Sequence, residues 1–393
     1  MKRPTGDAAL IKKINTAIVL DDVLNHAPLS RAQISERSGL NKATVSSLVM
    51  DLIEHHLVLE IGMGQSSGGR KPVMLVFNEV AGYAIGLDLG VHYIRGVLTD
   101  LKGEVIREAE ITVKSRQADK VLPLLYETIE GLISQAPDSP YGIVGIGIGV
   151  PGIVDSEGTV LFAPNLEWEH IPLRQLVSER FSCPVTIDNE ANAGAQGEQK
   201  YGAGRGINHL IYVSAGTGIG TGIMLQKELY RGTSGFSGEM GHLSIALDGK
   251  KCRCGNNGCW ELYASENAVL EQTEPLGLAT MEAVNTAAEH GDHQVLGILE
   301  QTGTYLGIGI ANIVNVFNPE AVVIGNHLRL SEPWIADAIR DTVARRTLPY
   351  HRKNMQILFA ELRGQSAVRG AAYYAISDFL AKIKDGVYHH PVT

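Results

Sequence analysis

The sequence predicts an α/β protein in three parts: a winged helix-turn-helix unit at the N-terminus, then two α/β lobes facing each other across a cleft. Three observations carry that expectation. A helix, a glycine turn and a second helix fill residues 30–52, two blocks of short apolar strands and amphipathic helices follow, and one His and three Cys crowd into 242–259. The expected units are 1–77, 78–203 and 204–393, with the last helix free to return to the first lobe.

Composition narrows the class. The chain has 393 residues, 44% apolar and 20% charged, which suits folded globular domains. Its net charge of −9 argues against a uniformly basic nucleic-acid binder. The balance is uneven, however: residues 1–77 carry nine Lys/Arg against seven Asp/Glu, and the remainder 25 against 36, so nucleic-acid contact belongs in the N-terminal fifth. No apolar run approaches the roughly 18 residues of a membrane span, and no signal-like segment opens the chain, so a cytoplasmic protein with no membrane partner is expected. Three of the four Cys lie within eight residues, a spacing too tight for a disulfide framework and suited to a metal. Cys183 reads as buried filler.

Taken in order, residues 7–26 read as a helix with Asp7 as its cap, Ile11, Ile14 and Ile18 on one face, and Pro28 ending it. Ser30 and Gln33 fit a capping box, Gly39 a turn, and Asn41 the cap of a second helix whose Val45, Leu48, Val49 and Leu52 form one apolar face. Lys42, Thr44, Ser46 and Ser47 then sit where a recognition helix meets base edges and phosphates. Strands Leu57–Ile61 and Val73–Phe77 flank a glycine-rich loop ending in Arg70 and Lys71, a wing with its cations aimed at phosphates. The DNA-contact expectation is thus Asn41, Lys42, Thr44, Ser46, Ser47, Arg70 and Lys71.

The first lobe reads as strands 84–88, 94–99 and 104–113, a helix 119–135, strands 144–150 and 185–188, and a helix 189–200. The second begins with strands 210–214 and 218–225, with helices near 265–290, 293–317, 334–346 and 366–384. Gly147-Ile148-Gly149-Val150-Pro151-Gly152 satisfies a dinucleotide fingerprint. The hairpin pattern at 153–160 denies it the helix that such a fingerprint must open. His242, Cys252, Cys254 and Cys259 make a complete Cys₃His set, and a set with no open position is structural; Zn²⁺ is the expected ion.

These residues resemble the ROK family of repressors and bacterial sugar kinases. Its signature of Glu-x-Gly-His and then Cys-x-Cys-Gly-x-x-Gly-Cys-x-Glu stands here without mismatch at Glu239–His242 and Cys252–Glu261. The wing Gly-Gln-Ser-Ser-Gly-Gly-Arg, Tyr230-Arg231-Gly232 and Glu261-Leu262-Tyr263-Ala264-Ser265 are similar to the family's xylose-responsive repressors. The resemblance implies an actin-like two-lobed body, a sugar effector for which xylose is favoured and glucose or another aldose stays open, and self-association at least to a homodimer on a double-stranded, palindromic operator. It implies a sugar site at Asn189, Glu190, Glu239, His242 and Glu261, with His242 serving metal and sugar through opposite ring nitrogens.

Toward the kinases the pattern departs. Where they carry Asp-x-Gly-Gly-Thr, this chain has Asp88-Leu89-Gly90-Val91-His92, with bulk where Gly and Thr belong. Gly216-Thr217-Gly218-Ile219-Gly220 is intact, Val323-Ile324-Gly325-Asn326 has one glycine where kinases have two, and Glu190 replaces the catalytic Asp. The resemblance therefore implies a non-enzyme with no catalytic residue. The alternatives are an ATP-dependent sugar kinase with a DNA-binding head, and a zinc-stabilised DNA-binding module with no small ligand.

Overall fold

A computed structural model describes residues 7–63 and 71–388. α1 (Ala8–His26) starts where Asp7 accepts from the Ala9 amide. β1 (Leu29–Ser30) leads into α2 (Arg31–Ser38), where Ser30 and Gln33 form the reciprocal capping box. Gly39, at φ +72°, ends that helix in the left-handed conformation glycine favours. Asn41 then caps α3 (Lys42–Glu54), which buries Val45, Leu48, Val49 and Leu52. β2 (Val58–Met63) and β3 (Val73–Phe77) complete a sheet of order β1-β3-β2. The wing tip, Arg70 included, lies outside the described residues.

The isoleucine stripe of α1 does not face the core. Ile11 and Ile14 are about half exposed, at 52% and 51%, and the buried positions are Thr16, Val19, Leu20 and Val23. The reason is that α1 packs on α2, α3, β3 and the chain's last helix, all of which lie on its other side.

The first lobe comprises β4 (Tyr83–Leu89), β5 (Tyr93–Asp100), β6 (Val105–Thr112), α4 (Ala118–Ser134) and β7 (Ile143–Val150). A small sheet of β8 (Ile153–Val154), β9 (Val160–Ala163) and β10 (Trp168–Ile171) follows, then α5 (Leu173–Phe181), β11 (Val185–Asn189) and α6 (Glu190–Tyr201). The fingerprint at 147–152 thus runs into β8, not into a helix. The second lobe comprises β12 (Leu210–Ala215), β13 (Ile219–Leu225), β14 (Glu228–Leu229), α7 (Glu261–Ala264), α8 (Glu266–Thr273), α9 (Met281–Glu289), α10 (His293–Phe317), β15 (Ala321–Gly325), α11 (Glu332–Arg346), β16 (Gln356–Phe359) and α12 (Ser366–Lys384). The single helical stretch expected near 265–290 is two helices, because Pro275 and Gly277, the latter at φ +81°, form a turn between α8 and α9.

The main sheets follow one path twice. Their orders are β11-β7-β4-β5-β6 and β14-β13-β12-β15-β16, each an antiparallel meander extended by two parallel strands. Helix α12 returns to the first lobe and packs on α6, β4 and β7. Its far end enters the head: Ile376, Phe379 and Ile383 share one buried cluster with Val19, Leu20 and Val23 of α1 and Leu75 and Phe77 of β3. Burying such side chains contributes roughly 1.5–3 kcal/mol each, so the head is fixed to the body by a common core. Cys183 packs half-buried against the first lobe's core.

Candidate ligand cleft and metal knuckle

Between the lobes lies a cavity of about 570 Å³. Glu190 reaches it from the first turn of α6, at the end of β11. Burial, and then the negative charges of Asp88 and Glu239, push its carboxyl up to about 8. Near neutral pH it is therefore largely protonated and can donate a hydrogen bond as well as accept one. Asn189 also lines the cavity, but its amide is engaged at both ends: Oδ1 caps α6 by accepting from the Ala191 amide at 2.7 Å, and Nδ2 donates to the Gly152 carbonyl at 2.9 Å.

Glu239, His242 and Glu261 meet these residues from the second lobe. Glu239 precedes a one-turn helix, Met240–His242, and Glu261 opens α7. Desolvation at the cleft wall raises the Glu239 carboxyl, although 42% of its side chain stays exposed. The His242 ring stands between cleft and knuckle: Nε2 is 3.9 Å from Glu239 Oε2, and Nδ1 is 3.4 Å from Glu261 Oε1 and 3.7 Å from Cys252 Sγ. The β12–β13 hairpin passes so close that a Cβ on Gly218 would lie 2.8 Å from Glu261 Oε2.

His242, Cys252, Cys254 and Cys259 each offer a ligand atom within 4.8 Å of the others. A tetrahedron of bonds of about 2.3 Å has edges near ~3.8 Å. The Cys254–Cys259 and Cys252–His242 separations are both 3.7 Å, so the set fits a tetrahedral metal ion. The knuckle is anchored beneath by Trp260, which is fully buried and donates through Nε1 to the Tyr305 carbonyl of α10 at 2.8 Å.

The part of the cleft at the β4–β5 hairpin is different. The β4–β5 hairpin is tight, with the Gly90 amide donating to the Tyr93 carbonyl at 2.9 Å. It folds the Tyr93 ring onto Gly90, where a Cβ would meet ring carbons at 2.5 Å. The Tyr93 hydroxyl donates to Asp88 Oδ2 at 3.0 Å, and the Arg95 guanidinium lies 4.2 Å from the ring centroid. Burial pushes Asp88 up to about 6. Across the gap His327 Nδ1 is 2.5 Å from Glu266 Oε2. Of the two bulky residues expected there, Val91 is buried in the cavity wall and the His92 side chain is exposed to solvent, and Tyr93 adds an aromatic ring over Gly90. An aromatic residue opening a strand three positions after the hairpin glycine was the available signal. Asn165, also in the cavity wall, belongs to no motif and left none.

In the head, Lys42, Ser46 and Ser47 are exposed on α3 and Thr44 is half-buried. Asn41 is exposed but spends Oδ1 on the Thr44 amide at 2.8 Å. Lys71 is exposed at the foot of the wing. Among the described residues no helix is long and apolar enough to cross a membrane.

Residues 84–378 match the ROK family. The chain is 45% identical over 381 residues to the xylose repressor of Bacillus spizizenii, covering 96% of this chain and 99% of that one. Among solved structures, a ROK family transcriptional regulator described as a homolog of E. coli MLC protein aligns with TM-score 0.81 at 29% identity, over 95% of this chain and 99% of its own. A ROK family glucokinase from Streptomyces griseus, in complex with glucose and AMPPNP, aligns with TM-score 0.69 at 31% identity, over 75% of this chain and all of its own.

Proposed function

The chain belongs to the ROK family, and from that premise we propose that it is a sugar-responsive transcription repressor whose head binds operator DNA and whose cleft binds the releasing sugar, xylose. At least a homodimer reads a palindromic operator, with α3 in the major groove and wing cations on the phosphates. Zinc at His242, Cys252, Cys254 and Cys259 holds the knuckle folded and fixes the His242 ring toward the sugar. Glu239 and Glu261 accept from adjacent sugar hydroxyls, and Glu190 contributes a proton-bearing oxygen. Asn189 acts by holding the start of α6, since its amide is already engaged.

The observation that carries this reading is the convergence of Glu190, Glu239, His242 and Glu261 on one cavity whose β4–β5 glycine is covered by Tyr93. Tyr93 occupies the space against Gly90 where a phosphate would approach backbone amides. Glu190 stands where the family's kinases carry the catalytic Asp and is one methylene longer, which displaces its carboxyl by about 1 Å from the place a base would need. Both features support a body that binds sugar without transferring phosphate.

The test is fluorescence anisotropy of a labelled operator duplex with the full chain. Xylose alone should release the DNA, with ATP and Mg²⁺ adding nothing. Release that requires ATP would favour the kinase alternative, and no release with any aldose would favour the ligand-free module.

A further inference from the structure

Arg231 belongs to the second lobe, and its guanidinium Nη2 lies 2.7 Å from Asp188 Oδ2 of the first. Asp188 is 5% exposed and ends β11 immediately before Asn189 and Glu190. Its other oxygen accepts from the Asn189 amide at 2.8 Å and from Asn192 Nδ2 at 3.0 Å, so the carboxylate organises the elbow between β11 and α6. The same guanidinium carbon stands 5.8 Å from the ring centroid of Tyr374, in the middle of α12, and the Tyr374 hydroxyl is buried.

The loop carrying Arg231 also carries the sugar-facing residues. Its ends are clasped: the Ser237 amide donates to the Arg231 carbonyl at 3.2 Å and Ser237 Oγ to the Tyr230 carbonyl at 2.6 Å. Gly238 and Glu239 follow directly. A ligand drawing Glu239 and His242 toward Glu190 therefore pulls on the segment that holds Asp188 and touches α12.

Helix α12 is built to pass that displacement on. Cβ atoms added at Gly147 and Gly370 would lie 1.9 Å from the Ala371 carbonyl and 1.7 Å from the Ala193 carbonyl, so backbone packs on backbone with no flexible side chain between. Its 19 residues span about 28 Å at the α-helical rise. At the far end the Phe379 ring is 5.0 Å from that of Tyr141, Lys384 Nζ is 2.6 Å from Asp21 Oδ1 of α1, and Tyr388 stacks on His55 at 3.7 Å.

We propose that Arg231 is a positioning residue which, through Asp188 and Tyr374, ties the sugar-facing loop to α12, so that sugar in the cleft alters the DNA-binding head through that helix. This rests on the repressor reading. A sugar shifts the equilibrium only by its differential affinity for the two arrangements, and the ion pair between the lobes, outside the cavity wall, supplies the contact that distinguishes them.

The test measures xylose affinity for the full chain, free and operator-bound, by titration calorimetry. The ratio of the two is the coupling. In the parent it should be about tenfold or more, within the usual range for linked sites. Arg231→Gln alone and the charge-neutral pair Arg231→Gln with Asp188→Asn, each of which removes both the ion pair and the guanidinium over the Tyr374 ring, should bind xylose, when free, and operator, without sugar, within about threefold of the parent, while the coupling falls toward unity. Variants that keep the parental coupling overturn the proposal. So do variants whose affinity for xylose collapses when free, which would make Arg231 a ligand contact. If the paired variant fails to fold, Arg231→Gln alone, at a side chain that is 45% exposed, decides. A parent with no coupling sinks the repressor reading before any variant is made.

Discussion

The two lobes follow the same path, yet their first hairpins have become opposites. The β12–β13 hairpin keeps Gly216, Thr217 and Gly218 at the cavity wall, with Gly218 against Glu261. The β4–β5 hairpin, in the equivalent place, is closed by Tyr93, hydrogen-bonded to Asp88. Equivalent backbone therefore does not mean equivalent surroundings: the β12–β13 glycines lie against the polar ends of Asn326 and Glu261, and the β4–β5 glycine lies against an aromatic ring. The half of the cleft proposed to face sugar carries carboxylates and a histidine that also stands in the Cys₃His cluster.

The largest effect on that contrast should come from Cys259→Ser. Removing a thiolate from a closed tetrahedral site removes folding free energy along with the metal, so metal content and Tm should fall together, by several kcal/mol in stability. Metal analysis by mass spectrometry and a thermal melt check this, and an unchanged melt would mean the knuckle folds without its ion.

Glu239→Ala and Glu261→Ala come next. Each should keep the metal and operator affinity while losing about 1.5 to 3 kcal/mol of xylose binding, or roughly 10- to 150-fold in affinity. Calorimetry with the sugar reads this, and normal affinity in both variants would place the sugar elsewhere.

Tyr93→Ala sharpens the contrast from the other side. Emptying the space over Gly90 should let AMPPNP with Mg²⁺ raise the Tm, where the parent should show no shift. Sugar phosphorylation should still be absent from a coupled assay, because Glu190 stands in place of the kinases' Asp and its longer side chain misplaces the carboxyl.

The smallest effect is on pH dependence. Glu190 titrates at about 8 when folded against an ordinary 4.5, so between those values the folded chain binds more protons than the unfolded one. Stability present below the lower value is lost as pH rises through the upper one. Glu190→Gln removes that proton difference, so its Tm should fall less than the parent's between about pH 5 and about pH 8.5. Identical slopes would show that Glu190 is already ionised in the fold.

Much of this was legible in the sequence. Asp7, Ser30–Gln33, Gly39 and Asn41 marked the helix ends of the head, because caps and turns are local chemistry. The knuckle was legible for the same reason, its ligands lying within eighteen residues of one another. Features made by distant segments were not. The outward isoleucine stripe of α1 depends on where α12 lands, and helical periodicity does not say which face a remote helix will cover. Tyr93 fills the cradle only because the hairpin folds it back on Gly90. The Arg231–Asp188 pair joins residues 43 positions apart in different lobes and belongs to no spacing rule.

One measurement bears most directly on the claim that the sugar half of the cleft is active and the nucleotide half is closed. It is a pair of calorimetric titrations on one preparation of the full chain, the first with xylose and the second with AMPPNP and Mg²⁺. Xylose should give saturable heat and the nucleotide none, whether or not xylose is present. Nucleotide binding at the parental Tyr93, or nucleotide binding that tightens when xylose is added, would contradict it.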